Sequence, residues 1–349
     1  MKTFGQLYPA ICSRENLELA ARRARKGKRY RLYAEEFELH RESILREIRE
    51  ELLAERWQPR PYETFEIHDP KRRLICAPCY RDRIVHHALC NVVAPLFERS
   101  MSAHSYSCRA GKGTTAARAR CRWLVANRRF ALKLDVRSYF PSIDHQLLKE
   151  KIRRHIRCRP TLALMDGIID SWHDPEIPPR WFAGDDLLAP AERPRGLPIG
   201  ALTSQLFANL YLNRLDHLIE EHIKPDGYLR YTDDLLLFSH DKAFLQAAFK
   251  LILQAFAADR LTPHPTKCRV HACREGIPFL GFRFFPARVR VLRANRLRFE
   301  RRMKQLRRQV GAGRRVADIG PRMFAWFQFI REFARNEGLV RAESRWHTF

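Results

Sequence analysis

Two adjacent carboxylates are the residues of this 349-residue chain best suited to do chemistry. Asp233 and Asp234 stand between the apolar runs 227–230 and 235–238. Neighbouring carboxylates repel each other unless a cation neutralises them, and their hard oxygen atoms suit Mg²⁺. An isolated pair of this kind is more often a solvated hairpin turn, so the interpretation depends on a further acidic residue elsewhere.

Such a residue ends a predicted strand far upstream. Residues 130–135 alternate apolar and polar side chains with a period of two, which predicts a strand that ends at Asp135. Three carboxylates on two strand ends can converge on one site. Two metal ions about 3.5–4 Å apart, bridged by such carboxylates, stabilise the attacking and leaving oxygens of a phosphoryl displacement. The sequence therefore predicts nucleotidyl transfer.

The charge of the chain predicts a polyanionic partner. The formal net charge is +26, from 65 Lys and Arg against 39 Asp and Glu, and nucleic acid is the first candidate for such a surface. A solvated basic surface on a ribosome-like or membrane-peripheral protein is the alternative. No apolar run approaches the roughly 20 residues of a membrane span. We expect a cytoplasmic protein with no membrane partner, and nine free cysteines rather than a disulfide framework.

Periodicity and breakers outline the elements around these residues. Apolar spacing predicts a long amphipathic helix over 33–56 and another helix over 81–99. Between them, residues 62–78 read as a hairpin with a cationic tip. Asp144 is suited to cap the helix that follows it.

The second half of the chain divides in the same way. Residues 171–198 are rich in proline and predict a loop or insertion. Apolar spacing then predicts a helix from Gly200 to about Lys224. Near the C-terminus, Phe299 and Met303 belong to a helix whose other faces are strongly basic.

The order of these features resembles a reverse transcriptase. The resemblance is carried by the strand at Asp135, the segment 196–205, Tyr-Thr-Asp-Asp at 231–234, Lys267 and the segment 279–282. It implies an α+β right-hand polymerase fold with fingers, an antiparallel palm sheet packed on helices, and a helical thumb. The implied domains are an N-terminal helical extension (1–60), fingers (61–130), palm (131–286, with the insertion near 171–198) and thumb (287–349).

The resemblance also implies roles for the acidic residues. Asp135, Asp233 and Asp234 would hold two Mg²⁺ ions, for which Mn²⁺ can substitute, together with the carbonyl of Val136. Asp135 and Asp234 would be the ligands shared with the triphosphate. Lys267 matches the lysine placed to protonate the pyrophosphate leaving group.

Further positions match the nucleotide and primer sites of the family. Phe140 corresponds to the bulky residue that excludes a 2′-hydroxyl, which favours deoxynucleotides. The hairpin cations Lys71, Arg72 and Arg73 would contact the triphosphate, with Arg72 as the best candidate. The primer grip would be the turn formed by Phe279, Leu280, Gly281 and Phe282.

Two departures from the common pattern indicate a subfamily. Ile199-Gly200 and Ser204-Gln205 stand where most reverse transcriptases have Gln-Gly and Ser-Pro, and they are typical of diversity-generating retroelements. The resemblance implies error-prone copying of template adenines in a structured RNA that carries a template repeat. It also implies a small basic pentameric accessory protein, besides primer, cDNA and dNTP.

Other functions remain open at this point. A retron-type or phage-defence reverse transcriptase is the alternative enzyme, although no Val-Thr-Gly stretch is present in the thumb region. A catalytically silent RNA-binding scaffold is the alternative of another class. In every case we expect basic side chains to contact nucleic acid, the candidates being Arg81, Arg109, Lys112, Arg298, Arg301, Arg302 and Arg308.

Overall fold

The structure, a computed structural model, describes residues 4–68, 72–174 and 178–311. The helices of these residues are α1 (Tyr8–Ile11), α2 (Arg14–Arg25), α3 (Leu32–Leu39), α4 (Arg41–Leu53), α5 (Tyr80–Glu98), α6 (Thr114–Asn127), α7 (Tyr139–Ser142), α8 (His145–Arg153), α9 (Arg159–Asp170), α10 (Ala189–Glu192), α11 (Leu202–Tyr211), α12 (Asn213–His217), α13 (Lys242–Ala258) and α14 (Arg293–Gly311). The strands are β1 (Glu63–Ile67), β2 (Arg73–Ala77), β3 (Phe130–Asp135), β4 (Gly227–Tyr231), β5 (Asp234–Ser239), β6 (Arg269–Ala272), β7 (Ile277–Phe279), β8 (Phe282–Phe284) and β9 (Val289–Val291).

A four-stranded antiparallel sheet forms the centre of the fold, with the strand order β4-β5-β3-β6. Leu132 and Leu134 on β3 join the larger hydrophobic core, whereas Ala131 joins a second, smaller core. The alternation arises because successive side chains of a strand point to opposite faces. The strand predicted over 130–135 is confirmed at both ends.

A second, smaller sheet packs beside the central one. Strands β7, β8 and β9 form an antiparallel meander. Its buried residues Phe279, Phe282 and Phe284 share the smaller core with Cys121 and Leu124 of α6. The meander extends to Val291, five residues past the predicted palm boundary at 286.

The hairpin predicted over 62–78 is present as β1 paired antiparallel with β2. Strand β2 of this hairpin packs against residues 199–200. The amide of Cys76 donates to the carbonyl of Ile199 over 2.8 Å. Gly200 adopts φ +137°, and a Cβ there would lie 2.9 Å from the Cys76 carbonyl oxygen. Only glycine fits this close approach without strain.

The N-terminal helices pack on α5, which corresponds to the predicted helix at 81–99. Asn16 of α2 donates to the carbonyl of Ala88 over 3.0 Å. The prediction of one helix over 33–56 is wrong, because the chain leaves helical geometry at His40 (φ −114°) and forms α3 and α4. Phe37 and Leu45 bury in the same core on either side of the break. The apolar periodicity continues across His40 and therefore does not reveal the break.

The helix predicted from Gly200 to Lys224 is a helical run in three parts. α11 and α12 are followed by a π-helical turn, Leu218–Ile223, and the run ends at Lys224, whose φ is +51°. Asp144 caps α8 as predicted, since its carboxylate accepts from the amide of Leu147. Within 171–198, the described residues include only the short helix α10.

Two further expectations concern the whole chain. All nine cysteines are free thiols. Among the described residues, no helix is both long enough and apolar enough to cross a bilayer.

Candidate active site

The three predicted acidic residues lie at one end of the central sheet. β3 ends at Asp135 and β5 begins at Asp234, and the antiparallel register sets these two residues directly opposite each other. Opposed residues of an antiparallel pair project to the same face. Asp233 occupies the turn between β4 and β5, which the pairing of Tyr231 with Asp234 closes. The sheet thus gathers the three residues at a single edge.

The turn that carries Asp233 is strained and firmly held. Thr232 has φ +59°, a conformation that is rare for a β-branched residue. Its hydroxyl donates to the hydroxyl of Ser107 over 2.7 Å, and its carbonyl accepts from Arg230 over 3.0 Å. Strained residues persist only where their surroundings over-determine them, and they cluster at functional sites.

A fully buried ion pair lies beneath this turn. Arg230 and Asp216 both have wholly inaccessible side chains, with a closest separation of 2.5 Å between nitrogen and oxygen. Asp216 also accepts from the Tyr228 hydroxyl over 2.6 Å, and Arg230 contacts the carbonyl and the side chain of Asn209. A buried pair is tolerated when further hydrogen bonds satisfy its remaining groups.

Burial and mutual repulsion perturb the carboxylates at the sheet edge. Burial, followed by the charge of Asp135, raises the pKa of Asp233 to about 6. Burial also raises the pKa of Asp234, although the ammonium of Lys133 partly offsets that effect. A bound cation would relieve both causes.

Two lysines lie against these carboxylates. Lys267 Nζ is 3.0 Å from both carboxylate oxygens of Asp135. Lys133 Nζ is 2.8 Å from Asp234 Oδ1 and donates to Oδ2 over 2.9 Å. Lys133 also donates to the carbonyl of Pro278 over 2.9 Å.

The donor set fits divalent ions. Within the described ranges, no three His, Cys, Asp or Glu side chains are already arranged around a common point as a metal site. The edge nevertheless gathers the three carboxylates of Asp135, Asp233 and Asp234 against the two ammonium groups of Lys133 and Lys267. Repulsion within such a cluster favours a bound cation, and carboxylate oxygens are the ligands that Mg²⁺ prefers. Val136 follows Asp135 and is buried.

Several of the predicted nucleotide-binding residues contact one another or the β1–β2 hairpin. Phe140 lies in α7, and its carbonyl accepts from the amide of Leu197 over 3.0 Å. Residues 196–200 therefore run between α7 and strand β2. Gln205 is exposed on α11, whereas Ser204 is buried there.

The cationic hairpin tip is partly described. Lys71 lies outside the described residues, and Arg73 is exposed. Arg72 forms a two-pronged contact with Glu66, the shortest distance being 2.6 Å between Nη2 and Oε1. The pairing lowers the pKa of Glu66. Arg72 therefore has a carboxylate partner within its own hairpin.

The predicted primer grip is the tight turn between β7 and β8. Phe279 and Phe282 are buried and anchor the turn, while Leu280 and Gly281 adopt positive φ angles of 43° and 88°. The Gly281 carbonyl accepts from the side-chain amide of Asn295 over 3.1 Å. The turn is thus supported by the first residues of α14.

The basic residues predicted to contact nucleic acid divide into two groups. Arg81 pairs with Glu51 over 2.8 Å, and Arg109 pairs with Glu98 over 2.7 Å, both with little exposure. Lys112 contacts the Ala103 carbonyl and lies over the Tyr106 ring. These three side chains have structural partners, so their contact with nucleic acid stays a prediction. On α14, Arg298 is half-buried, whereas Arg301, Arg302 and Arg308 are exposed.

Comparison with known proteins identifies the family. The model of the family described as reverse transcriptase (RNA-dependent DNA polymerase) matches residues 67–284. The chain belongs to the reverse transcriptase family. The match spans β2 to β8 and therefore contains the acidic edge, residues 196–205 and the turn at 279–282. The predicted right-hand polymerase fold and the enzyme class, RNA-directed DNA polymerase, are confirmed at the level of this family.

Two curated proteins are similar to this reverse transcriptase. Protein YkfC of Escherichia coli K12 is 25% identical over 292 residues, which cover 70% of this chain and 71% of YkfC. The COX1/OXI3 intron 1 protein of Saccharomyces cerevisiae is 23% identical over 189 residues, covering 51% of this chain and 20% of the yeast protein.

Solved telomerase structures show a weaker similarity. Apo telomerase of Candida tropicalis, truncated from its C-terminal domain, matches 66% of this chain and 55% of its own with 14% identity and a TM-score of 0.46. Telomerase of Candida albicans in complex with a TWJ fragment of telomeric RNA matches 72% of this chain and 49% of its own, with 13% identity and a TM-score of 0.44. The reverse transcriptase thus spans about half the length of each telomerase chain.

Sequence reasoning did not single out several residues that hold this site together. Ser107 supports the strained turn, Arg230 and Asp216 lie beneath it, and Lys133 contacts Asp234. For Lys133 a signal was present, because a charged residue two positions before Asp135 points to the same face of β3. For the buried pair, only its position in apolar surroundings could have served as a signal.

Proposed function

We propose that this reverse transcriptase joins the 3′-hydroxyl of a primer to a deoxynucleotide, using RNA as template and two Mg²⁺ ions, for which Mn²⁺ can substitute. The observation that carries the proposal is the register of β3 and β5, in which Asp135 stands opposite Asp234 with Asp233 in the adjoining turn. Asp135, Asp233, Asp234 and the Val136 carbonyl would hold the ions. Bound ions would stabilise the attacking and leaving oxygens of the displacement.

The remaining residues bind and orient the reactants. Phe140 would lie against the sugar and exclude a 2′-hydroxyl, and its contact with Leu197 supports a pocket shared with Ile199 and Gly200. Arg72, with Lys71 and Arg73, would contact the triphosphate. Lys267 already lies against Asp135, which is consistent with donation of a proton to departing pyrophosphate.

Primer extension tests this function. The full chain is incubated with an RNA template, a DNA primer, dNTPs and Mg²⁺, and product length is measured. We expect extension by the wild-type protein, and none by Asp234→Ala. Asp170→Ala, at the end of α9, removes an exposed aspartate that pairs with Lys149 and is the matched control. Absence of product from the wild type, or full activity of Asp234→Ala, would contradict the proposal.

We further propose that the enzyme belongs to a diversity-generating retroelement and copies template adenines with errors. Ile199 and Gln205 support this subtype, because an apolar side chain at 199 offers no hydrogen bond with which to enforce pairing geometry. The template would be a structured RNA that carries a template repeat, and a small basic pentameric protein would assist. A cytoplasmic, bacterial or phage-encoded setting belongs to the same proposal.

Fidelity tests the subtype. Products copied from a defined RNA are sequenced, and errors are counted separately opposite each template base. We expect an excess opposite adenine that falls in Ile199→Gln, while Leu202→Gln, exposed at the start of α11, leaves the error pattern unchanged. Errors spread evenly over the four bases would favour a retron-type or phage-defence enzyme instead.

A further inference from the structure

We propose that Lys133 is a positioning residue that links the carboxylate of Asp234 to the base of the primer-grip turn. The inference rests on the proposed function for its catalytic meaning, but the link itself is a property of the folded chain. Lys133 Nζ contacts Asp234 and the Pro278 carbonyl at the same time, at 2.8 and 2.9 Å. Pro278 immediately precedes Phe279, the residue that begins the turn.

The register of the sheet makes this contact possible. Lys133 stands two residues before Asp135 on β3, so both side chains project to one face. Since Asp135 is opposite Asp234, Lys133 is the diagonal neighbour of Asp234 across the strand pair. Diagonal neighbours lie about 7–8 Å apart, which only a long side chain can bridge.

Burial makes the contact specific. The Lys133 side chain is only 12% exposed, and a buried ammonium is stable only when its three donors find acceptors. The described structure offers it one carboxylate and one carbonyl, which come from different sheets. The ammonium of Lys133 therefore contacts one group from each sheet, and this shared contact would hold β5 and β7 at a fixed separation.

The ammonium of Lys133 lies against both oxygens of Asp234. Nζ is 2.8 Å from Oδ1 and donates to Oδ2 over 2.9 Å. A carboxylate held in this way keeps its orientation, and each of its oxygens retains a lone pair for a further ligand. Lys133 would thus place the reacting carboxylate and the primer-grip turn in a fixed relation, so that the primer terminus arrives where Asp234 can act.

A second buried lysine provides the matched control. Lys151 of α8 donates to Asp259 over 2.6 Å and to the carbonyl of Tyr211 over 2.9 Å, with 10% exposure. It therefore makes the same two kinds of contact, at a distance in sequence and structure from the primer-grip turn. Lys151→Met removes a buried lysine without touching the proposed link.

The first experiment measures amide hydrogen exchange without metal or substrate. In Lys133→Met we expect the amides of β7 and β8 to exchange at least about tenfold faster than in the wild type, because local protection reflects the contacts that hold a segment. In Lys151→Met those amides should retain wild-type rates. Unchanged exchange in Lys133→Met, or equal acceleration in both variants, overturns the link.

The second experiment separates positioning from mere stability. Single-nucleotide addition is measured per folded molecule, and we expect Lys133→Met to lower the rate constant by about 10- to 100-fold while KM for dNTP changes less than about threefold. Lys133→Gln, which retains one donor group, should recover part of the rate. It also replaces Lys133→Met in both experiments if that variant does not fold. A wild-type rate in the folded variants overturns the positioning role.

The two experiments distinguish the proposals from each other. If the wild-type protein extends no primer, the proposed polymerase function fails, yet the exchange experiment still decides whether Lys133 holds β7. If extension is normal and exchange is unaffected by Lys133→Met, the polymerase stands and the link fails.

Discussion

Asp216 has a fully buried side chain and Asp234 one that is 20% exposed, and the two carboxylates differ in the partners that they contact. Asp216 meets Arg230 and the Tyr228 hydroxyl, so both of its oxygens accept hydrogen bonds. Asp234 meets a single ammonium, that of Lys133, and lies opposite a second carboxylate, Asp135. A buried charge whose hydrogen bonds are complete maintains a fold, whereas carboxylates that gather with too few cations mark a place for a metal ion.

The largest expected effect is the loss of activity in Asp234→Asn. The substitution keeps the shape of the side chain but removes the charge that an ion requires, so we expect primer extension to fall by about 10⁴-fold, a loss of over 5 kcal/mol of transition-state stabilisation. Lys133 would lose its counter-charge but keep the Pro278 carbonyl, so the unfolding free energy in EDTA should fall by less than in Asp216→Asn. Retained activity would show that catalysis does not require the charge of Asp234, and the contrast with Asp216 would fail.

Asp216→Asn should strongly lower the free energy of unfolding. Arg230 would remain fully buried without its counter-charge, and breaking a buried pair from one side costs about 3–5 kcal/mol. Denaturant unfolding with an unchanged m-value would measure this loss. A destabilisation smaller than that of the exposed pair variant Asp166→Asn would contradict it.

Asp233 makes the stability of the metal-free protein depend on pH. Its pKa is raised from an ordinary value near 4 to about 6, so the folded metal-free protein binds a proton that the unfolded chain has released over that interval. The group therefore costs stability as pH rises through about 4 to 6, and the cost is complete above pH 6. Allowing for partial exposure, Asp233→Asn should stabilise the protein in EDTA by about 1–2 kcal/mol at pH 7.5.

The advantage of Asp233→Asn should disappear near pH 4, where both states of the wild-type protein hold the proton. Unfolding curves for the two proteins at pH 4.5, 6 and 7.5 measure the trend. A stability difference that is constant over this range, or that grows towards acid pH, would contradict the prediction.

The smallest expected effect concerns the contact between two hydroxyl groups that supports the turn at Thr232. Ser107→Ala removes the acceptor of the 2.7 Å bond from Thr232, and the loss of one such bond costs about 1 kcal/mol. Because the turn carries Asp233, activity should fall more than stability alone explains. Ser43→Ala, which removes a hydroxyl contact at the start of α4, should leave activity unchanged.

Local signals predicted the elements that carry the chemistry. Period-two alternation located β3, Pro and basic residues outlined the hairpin, and Asp144 marked the start of α8. These features depend on neighbours in sequence, which is why they could be read from the chain. The right-hand fold came from the order of motifs rather than from any one of them.

Contacts between distant segments escaped prediction for a physical reason. The partner of Lys133 depends on the register of β3 against β5, and the partners of Arg81 and Arg109 lie on α4 and at the end of α5. Charge alone does not reveal whether an arginine faces a phosphate or a glutamate of its own chain. The break at His40 was hidden because the apolar spacing continues across it.

The contact between Arg72 and Glu66 has a consequence for which small molecules the hairpin would retain. The pair is solvent-exposed and hence weak. If Arg72 binds the triphosphate as proposed, the phosphates would have to displace Glu66 from it. A nucleoside brings no charge and cannot displace the carboxylate, whereas a triphosphate brings several. The hairpin would therefore select small molecules by charge. It would retain a triphosphate, and also pyrophosphate, more firmly than a nucleoside.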